Sequence, residues 1–104
     1  MASRIFEAAR VTDGTGAVRK GIEIDKSSAI ALRKSDRDVV VCGDNLRMNI
    51  DMAKGIEAMI GAYDNHVPHR SSGPAALPHF QQRNPPPTGH TFYETPKRKA
   101  RKPQ

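Results

Sequence analysis

Residues 38–61, DVVVCGDNLRMNIDMAKGIEAMIG, carry the two strongest local patterns in the chain. DVVVCG (38–43) sets three valines and a cysteine between a charged residue and a glycine. β-Branched density over so short a length predicts a buried strand, Val39 to Cys42. Asp44 or Asn45 then offers a side-chain oxygen suited to capping a helix. Behind that cap Leu46, Ile50, Ala53, Ile56 and Ile60 recur at steps of three and four residues and share one helical face, while Arg47, Asp51, Lys54 and Glu57 fall largely on the others. Gly55 weakens the helix by about 1 kcal/mol relative to alanine, and Gly61 supplies a stop. The expected fold class is therefore α+β: one amphipathic helix, 45–60, packed on a small, mainly antiparallel sheet, with flexible termini.

Outward from that unit the pattern thins. Residues 1–12 are weakly patterned, and Asp13-Gly14 with Gly16 supplies turn chemistry between Val11 and Val18. GIEI (21–24) alternates like a strand, DKSS (25–28) reads as a turn, and AIALRK (29–34) fits either a strand or a short helix. On the other side DNHVPHRSSGPAALP (64–78) has turn residues and prolines without a period and reads as loop. HFQ (79–81) and HTFYE (90–94) read as two short strands pairing antiparallel, with RNPPPTG (83–89) a stiff link. At 104 residues with no tryptophan, a single small domain is expected.

The net charge of +6 is concentrated at one end. Of the 17 basic residues, Lys97, Arg98, Lys99, Arg101 and Lys102 lie within 97–102, which leaves 12 basic against 11 acidic residues elsewhere. Such an arm suits a phosphate backbone, because each contact releases condensed counterions; the plainer reading is a disordered solubilising tail, 97–104. Cys42 is the one cysteine, so no intrachain disulfide exists. No run approaches the roughly 20 apolar residues of a membrane helix, and Arg4, Glu7 and Arg10 interrupt the apolar block a signal peptide requires. The expectation is cytoplasmic synthesis without membrane insertion, with export by a signal-peptide-independent system left open.

All four histidines, His66, His69, His79 and His90, fall within 25 residues. An imidazole titrates near pH 6.5 and both accepts and donates protons at neutral pH. Metal-free RNA cleavage needs such a pair, one taking the 2′-hydroxyl proton and one protonating the leaving 5′-oxygen, beside a cation for the phosphorane. His79 and His90 are the candidate pair, with Arg83 and the 97–102 cations as phosphate contacts. His90, Phe92 and Glu94 share one strand face and Thr91 and Tyr93 the other. Glu94 is thus a candidate to orient a histidine, and Tyr93 to stack on a base or bond a phosphate. Beside this stand loop histidines with ordinary hydrogen bonds, and a zinc or iron site built on His66 and His69 with His79, His90 or Asp64. The intervening proline and the missing second cysteine weigh against the metal, and no cofactor is expected. Cys42 reads as a small buried hydrophobe rather than a nucleophile.

FEAARVTD (6–13) resembles the opening of the PAAR-type spike-tip proteins of type VI secretion, although the rest of that pattern is missing. DVVVCGDNLRMNIDMAKGIEAMIGAYDNHVPH, with GPAALPHFQQ and GHTFYE, resembles the short C-terminal toxin modules of bacterial polymorphic toxins, which are exchanged behind PAAR or Rhs delivery domains. That resemblance implies an N-terminal segment, 1–36, forming a hairpin or delivery-domain remnant, and a toxin domain over 37–96. It also implies a metal-independent ribonuclease carried by His79, His90 and Tyr93, a cognate immunity protein, and secretion spike partners. The RNA cut (tRNA, rRNA or mRNA) is not distinguished. The competing expectations are a non-enzymatic basic nucleic-acid-binding protein and a structural part of a secretion apparatus.

Overall fold

A computed structural model describes residues 2–12, 14–68 and 75–103. Over these residues the elements in chain order are β1 (Arg4–Arg10), β2 (Val18–Ile24), α1 (Lys26–Lys34), β3 (Val39–Cys42), α2 (Leu46–Ala58), β4 (Tyr63–His66), β5 (His79–Gln82) and β6 (Thr91–Tyr93). The strands form one six-stranded sheet in the order β2-β1-β3-β6-β5-β4. β3 and β6 run parallel and the other neighbours antiparallel. The α+β class and the mainly antiparallel sheet are as the sequence predicts.

β3 is central because all four of its residues are apolar and buried, which only a strand covered on both faces achieves. Alternation then divides the core. Val39 and Val41 join Ile5, Phe80 and Tyr93 beneath Ala29 of α1 and Ala53 and Ile56 of α2. Val40 and Cys42 face the other way, against Val18, Leu77, Phe92 and Ala100.

Two helices, rather than one, cover the first face. DKSS is a helix start: the Asp25 carboxylate accepts a hydrogen bond from Ser28 N at 2.8 Å, capping α1. Asn45 performs the same task for α2, accepting from Met48 N at 3.0 Å. Leu46, expected on the buried face, is left exposed at the first turn.

The second face is closed by residues 75–78 and by the C-terminal arm. Residues 97–103 are fastened rather than disordered: Arg101 N donates to Val18 O at 2.7 Å, Lys20 N donates to Arg101 O at 2.9 Å, and Ala100 is 9% exposed. Small Ala100 lets a cationic run lie on the sheet while Lys97, Lys99 and Lys102 stay exposed. The described residues of the N-terminal segment expected over 1–36 are likewise joined to the rest, since β1 pairs with β3 from Arg4↔Cys42 to Glu7↔Val39 and gives Ile5 to the shared core.

Glu94 is the clasp of this arrangement. The residue is 6% exposed, and its carboxylate accepts from Gly43 N at 3.2 Å and Ala100 N at 2.8 Å. Hydrogen bonds to a buried charged acceptor contribute roughly 1.5–3 kcal/mol. Glu94→Ala is therefore expected to destabilise the fold by about 2 kcal/mol and to speed hydrogen exchange at Ala100 and Arg101 selectively. Unchanged exchange there would mean the arm is held by other contacts.

Below the sheet a buried ion pair joins the two helices. Arg33 and Glu57 are both 0% exposed, with Nε–Oε2 at 2.8 Å and Nη2–Oε1 at 3.1 Å. Glu57, read from helical spacing as a surface residue, instead also accepts from Thr91 Oγ1 at 2.8 Å and from Gln82 Nε2 at 3.3 Å. Arg33 donates to the carbonyls of Arg37, Thr88 and Gly89. Gly89, at φ +92°, has no room for a side chain, because a Cβ would lie 2.8 Å from Arg33 Nη1. The residue that follows it is His90.

Candidate active site

Strand register brings three histidines onto the helix-free face of the sheet. His66 pairs directly with His79 across β4 and β5, although residues 64–66 were expected to be loop. His79 sits opposite Phe92 across β5 and β6, so His90, two residues earlier, is its diagonal neighbour on the same face. The rings stack in series. The His66 and His79 centroids are 5.3 Å apart at 15°, and those of His79 and His90 are 4.0 Å apart at 20°. Phe92 supports the second pair from beneath, with edge contacts of 5.5 Å to His79 and 5.4 Å to His90.

The stack borders an open cleft of about 570 Å³, walled on the far side by Arg10, Val11 and the turn around Gly14 and Gly16. The Arg10 guanidinium lies 5.8 Å above the centre of the Phe92 ring. Asp38 accepts from its Nε at 2.9 Å and from its Nη2 at 3.2 Å. The same Asp38 carboxylate accepts from His90 N at 2.8 Å. Arg10 and Asp38 carried no sequence signal. Alternation places Phe6, Ala8 and Arg10 on one face of β1, but only the order β1-β3-β6 sets that face beside the histidines.

Burial and mutual proximity hold both imidazoles toward the neutral form. The His90 pKa falls to about 4, chiefly through burial, with the charges of His79 and Arg10 adding to the effect and Asp38 opposing it. Burial lowers His79 as well, with His66 and Arg10 in the same direction, while hydrogen bonds to Gln81 and to the Leu77 backbone favour its cation. His79 Nε2 lies 3.0 Å from Gln81 Oε1. His90 Nδ1 is buried with no hydrogen-bond partner among the described residues, and the residue lines the cleft.

The sign of the stability effect follows. Each folded-state pKa lies below the unfolded value near 6.5, so the unfolded chain binds more protons as pH falls. The stabilising contribution is complete above pH 6.5 and is lost on going down through about 4, the folded-state value for His90. Discounted for partial exposure, His90 accounts for about 1–2 kcal/mol of that loss. Urea unfolding at pH 7 and pH 4.5 should show it, and His90→Gln should remove that part of the slope.

The other expected site residues lie elsewhere. Tyr93 is buried on the helix-covered face, where its hydroxyl donates to Asn65 Oδ1 at 2.9 Å; it cannot stack on a base in the histidine cleft. Glu94 does share its strand face with His90 and Phe92, yet its carboxylate is consumed by Gly43 and Ala100 and orients no histidine. Arg83 forms an exposed ion pair with Asp64 at 2.9 Å and lines a separate hollow with Lys54, Tyr63 and Phe80. Of the C-terminal cations, Arg101 reaches Thr15 Oγ1 at 3.4 Å, in the turn that walls the cleft. His69, and with it the His66–His69 metal option, lies outside the described residues. Among the described residues no group of three or more His, Cys, Asp or Glu is placed to hold a metal ion, and no helix is long and apolar enough to cross a membrane. Burial pushes the Cys42 thiol up to about 12, with the Glu94 carboxylate adding to the shift, which suits an inert core residue rather than a nucleophile.

Comparison with protein-family models, with curated proteins and with solved structures returns no match for this chain.

Proposed function

We propose that this chain is a bacterial effector toxin that cuts RNA by histidine general acid/base catalysis. The observation that carries the reading is the pair of stacked imidazoles, His79 and His90, at 4.0 Å on the wall of an open cleft that also contains a guanidinium. The near-parallel rings, 4.0 Å apart, are close enough for one phosphodiester bound in the cleft to meet both. His90, held neutral, is the base: its Nε2 takes the 2′-hydroxyl proton as the 2′-oxygen attacks phosphorus. His79 is the acid: the Leu77 carbonyl supports its cation, and its Nε2 exchanges the half-exposed Gln81 Oε1 for the 5′-oxygen, protonating it as the P–O5′ bond breaks. The phosphate anion itself favours the imidazolium that the empty cleft disfavours.

The products are a 2′,3′-cyclic phosphate and a 5′-hydroxyl end. The test is incubation of the purified chain with a single-stranded RNA and with the same strand carrying one 2′-deoxy substitution. Cleavage of the first only, unaffected by chelator, is expected. Equal cutting of both strands, or loss of cutting with chelator, would overturn the mechanism.

The exposed lysines of the arm, Lys97, Lys99 and Lys102, together with Arg98 and Arg101, extend a positive surface beyond the cleft for further phosphates. In this reading a cognate immunity protein masks the cleft, and delivery to target cells occurs through a signal-peptide-independent apparatus with spike partners. Induced expression with and without a neighbouring acidic open reading frame tests that part. A non-enzymatic nucleic-acid-binding module is the second reading, favoured by the basic arm. It predicts salt-dependent binding without new RNA ends.

A further inference from the structure

We propose that Arg10 is the anion anchor of the histidine cleft, holding a phosphate group between its free guanidinium edge and the in-plane nitrogens of His79 and His90, with Asp38 setting its position. The inference rests on the cleft being the place where a phosphodiester docks, and it supplies the cation that neither Arg83 nor the arm brings to that point.

Asp38 engages Arg10 only through Nε and Nη2. Nη1 makes no hydrogen bond among the described residues, and just over half of the side chain, 52%, is exposed. One side of the planar fork is thus occupied by a carboxylate and the other faces the cleft. Arg10, His79 and His90 all contact the Phe92 ring, so the three groups surround one aromatic floor.

Asp38 couples them further. It fixes the guanidinium through both oxygens and, through Oδ1, also the backbone of His90. Arg10 and His90 thereby keep a set separation although one ends β1 and the other immediately precedes β6. The three donors satisfy the Asp38 carboxylate, which reduces its repulsion of an incoming anion. Among the described residues the ionisable groups facing the site are Arg10, Asp38, His66, His79 and His90. Arg10 and Asp38 offset each other, so the remaining positive charge arises when an imidazole takes a proton beside the bound phosphate. That is the charge state the acid step requires.

The experiment is an NMR titration of the full chain with inorganic phosphate at pH 6, observing the imidazole resonances. In the wild type, the ring signals of His79 and His90 should move saturably. Arg10→Ala should weaken phosphate binding by at least about tenfold, the scale of one lost charge-assisted hydrogen bond. Arg10→Lys, a point charge without the fork, should recover part of that loss and also controls for folding. Equal affinity in wild type and Arg10→Ala, or phosphate shifts confined to the arm, would overturn the anchor. The two proposals fail separately. Arg10-dependent phosphate binding with intact RNA sustains the anchor and removes the ribonuclease. RNA cutting undiminished in Arg10→Ala, with phosphate affinity unchanged, removes the anchor alone.

Discussion

His79→Ala and His90→Ala are each expected to lower RNA cleavage by about 10²–10⁴-fold, the usual worth of a positioned acid or base, while leaving the fold intact. Both rings are half-buried and lie on the sheet's surface rather than in either core. Their removal exposes Phe92 and takes a hydrogen bond from the half-exposed Gln81 and from the Leu77 backbone, but leaves no charge unpaired inside. The double variant should be no worse than the weaker single one, because the two groups act in one concerted proton transfer. The pH profile separates the roles. Loss of the base should remove the acidic limb of the rate profile, which follows deprotonation of His90, and loss of the acid should remove the alkaline limb. His66→Ala is the internal control. It unstacks only the outer, exposed ring, 5.3 Å from His79, and should reduce the rate several-fold at most. Full activity in the double alanine variant would falsify the assignment of both histidines. The growth inhibition expected of the wild-type chain should disappear in step with cleavage.

Much of the frame was legible in residues 38–61, since β-branched density and a three–four repeat report directly on burial, and Val39–Cys42 and Leu46–Ala58 form the elements they predict. The histidine pair was legible too, because period-two alternation along two short strands puts His79 and His90 on one face once they pair antiparallel. What stayed hidden depends on long-range order. Arg10 is 80 residues from His90 in the chain, and only the insertion of β3 between β1 and β6 brings their strand faces together. Glu57 occupies a helical position that looks solvated until a second helix lays Arg33 beside it. The arm misled for a similar reason. Its composition matches disorder, but a single alanine in KRKARK is small enough to sit on the sheet, and Glu94 lies where it can receive the Ala100 amide. Composition averages over a segment, whereas docking is decided by one or two residues in it.

Glu57→Ala is expected to cost about 3–5 kcal/mol, the scale for removing one partner of a fully buried pair. The reason lies in what remains. Arg33 would keep its charge at 0% exposure, facing a void where two carboxylate oxygens had been, and the hydroxyl of Thr91 and one contact of the Gln82 amide would lose their acceptor. A domain of this size holds some 5–15 kcal/mol in total, so the variant should sit near the unfolding threshold at 25 °C. Its urea midpoint should fall with little change in slope. Glu57→Gln keeps the shape and one acceptor but removes the charge, and should fall between the two. Replacing both partners together, as in Arg33→Met with Glu57→Leu, should cost less than Glu57→Ala, because no unpaired charge is left inside. The double variant also separates stability from catalysis. Arg33 Nη1 and Nη2 hold the carbonyls of Thr88 and Gly89, immediately before His90. A folded Met/Leu variant should therefore still lose RNA cleavage, because the base at position 90 would no longer be held against His79. Activity retained in that variant would show that Asp38 alone suffices to place His90, and that the buried pair serves only the fold.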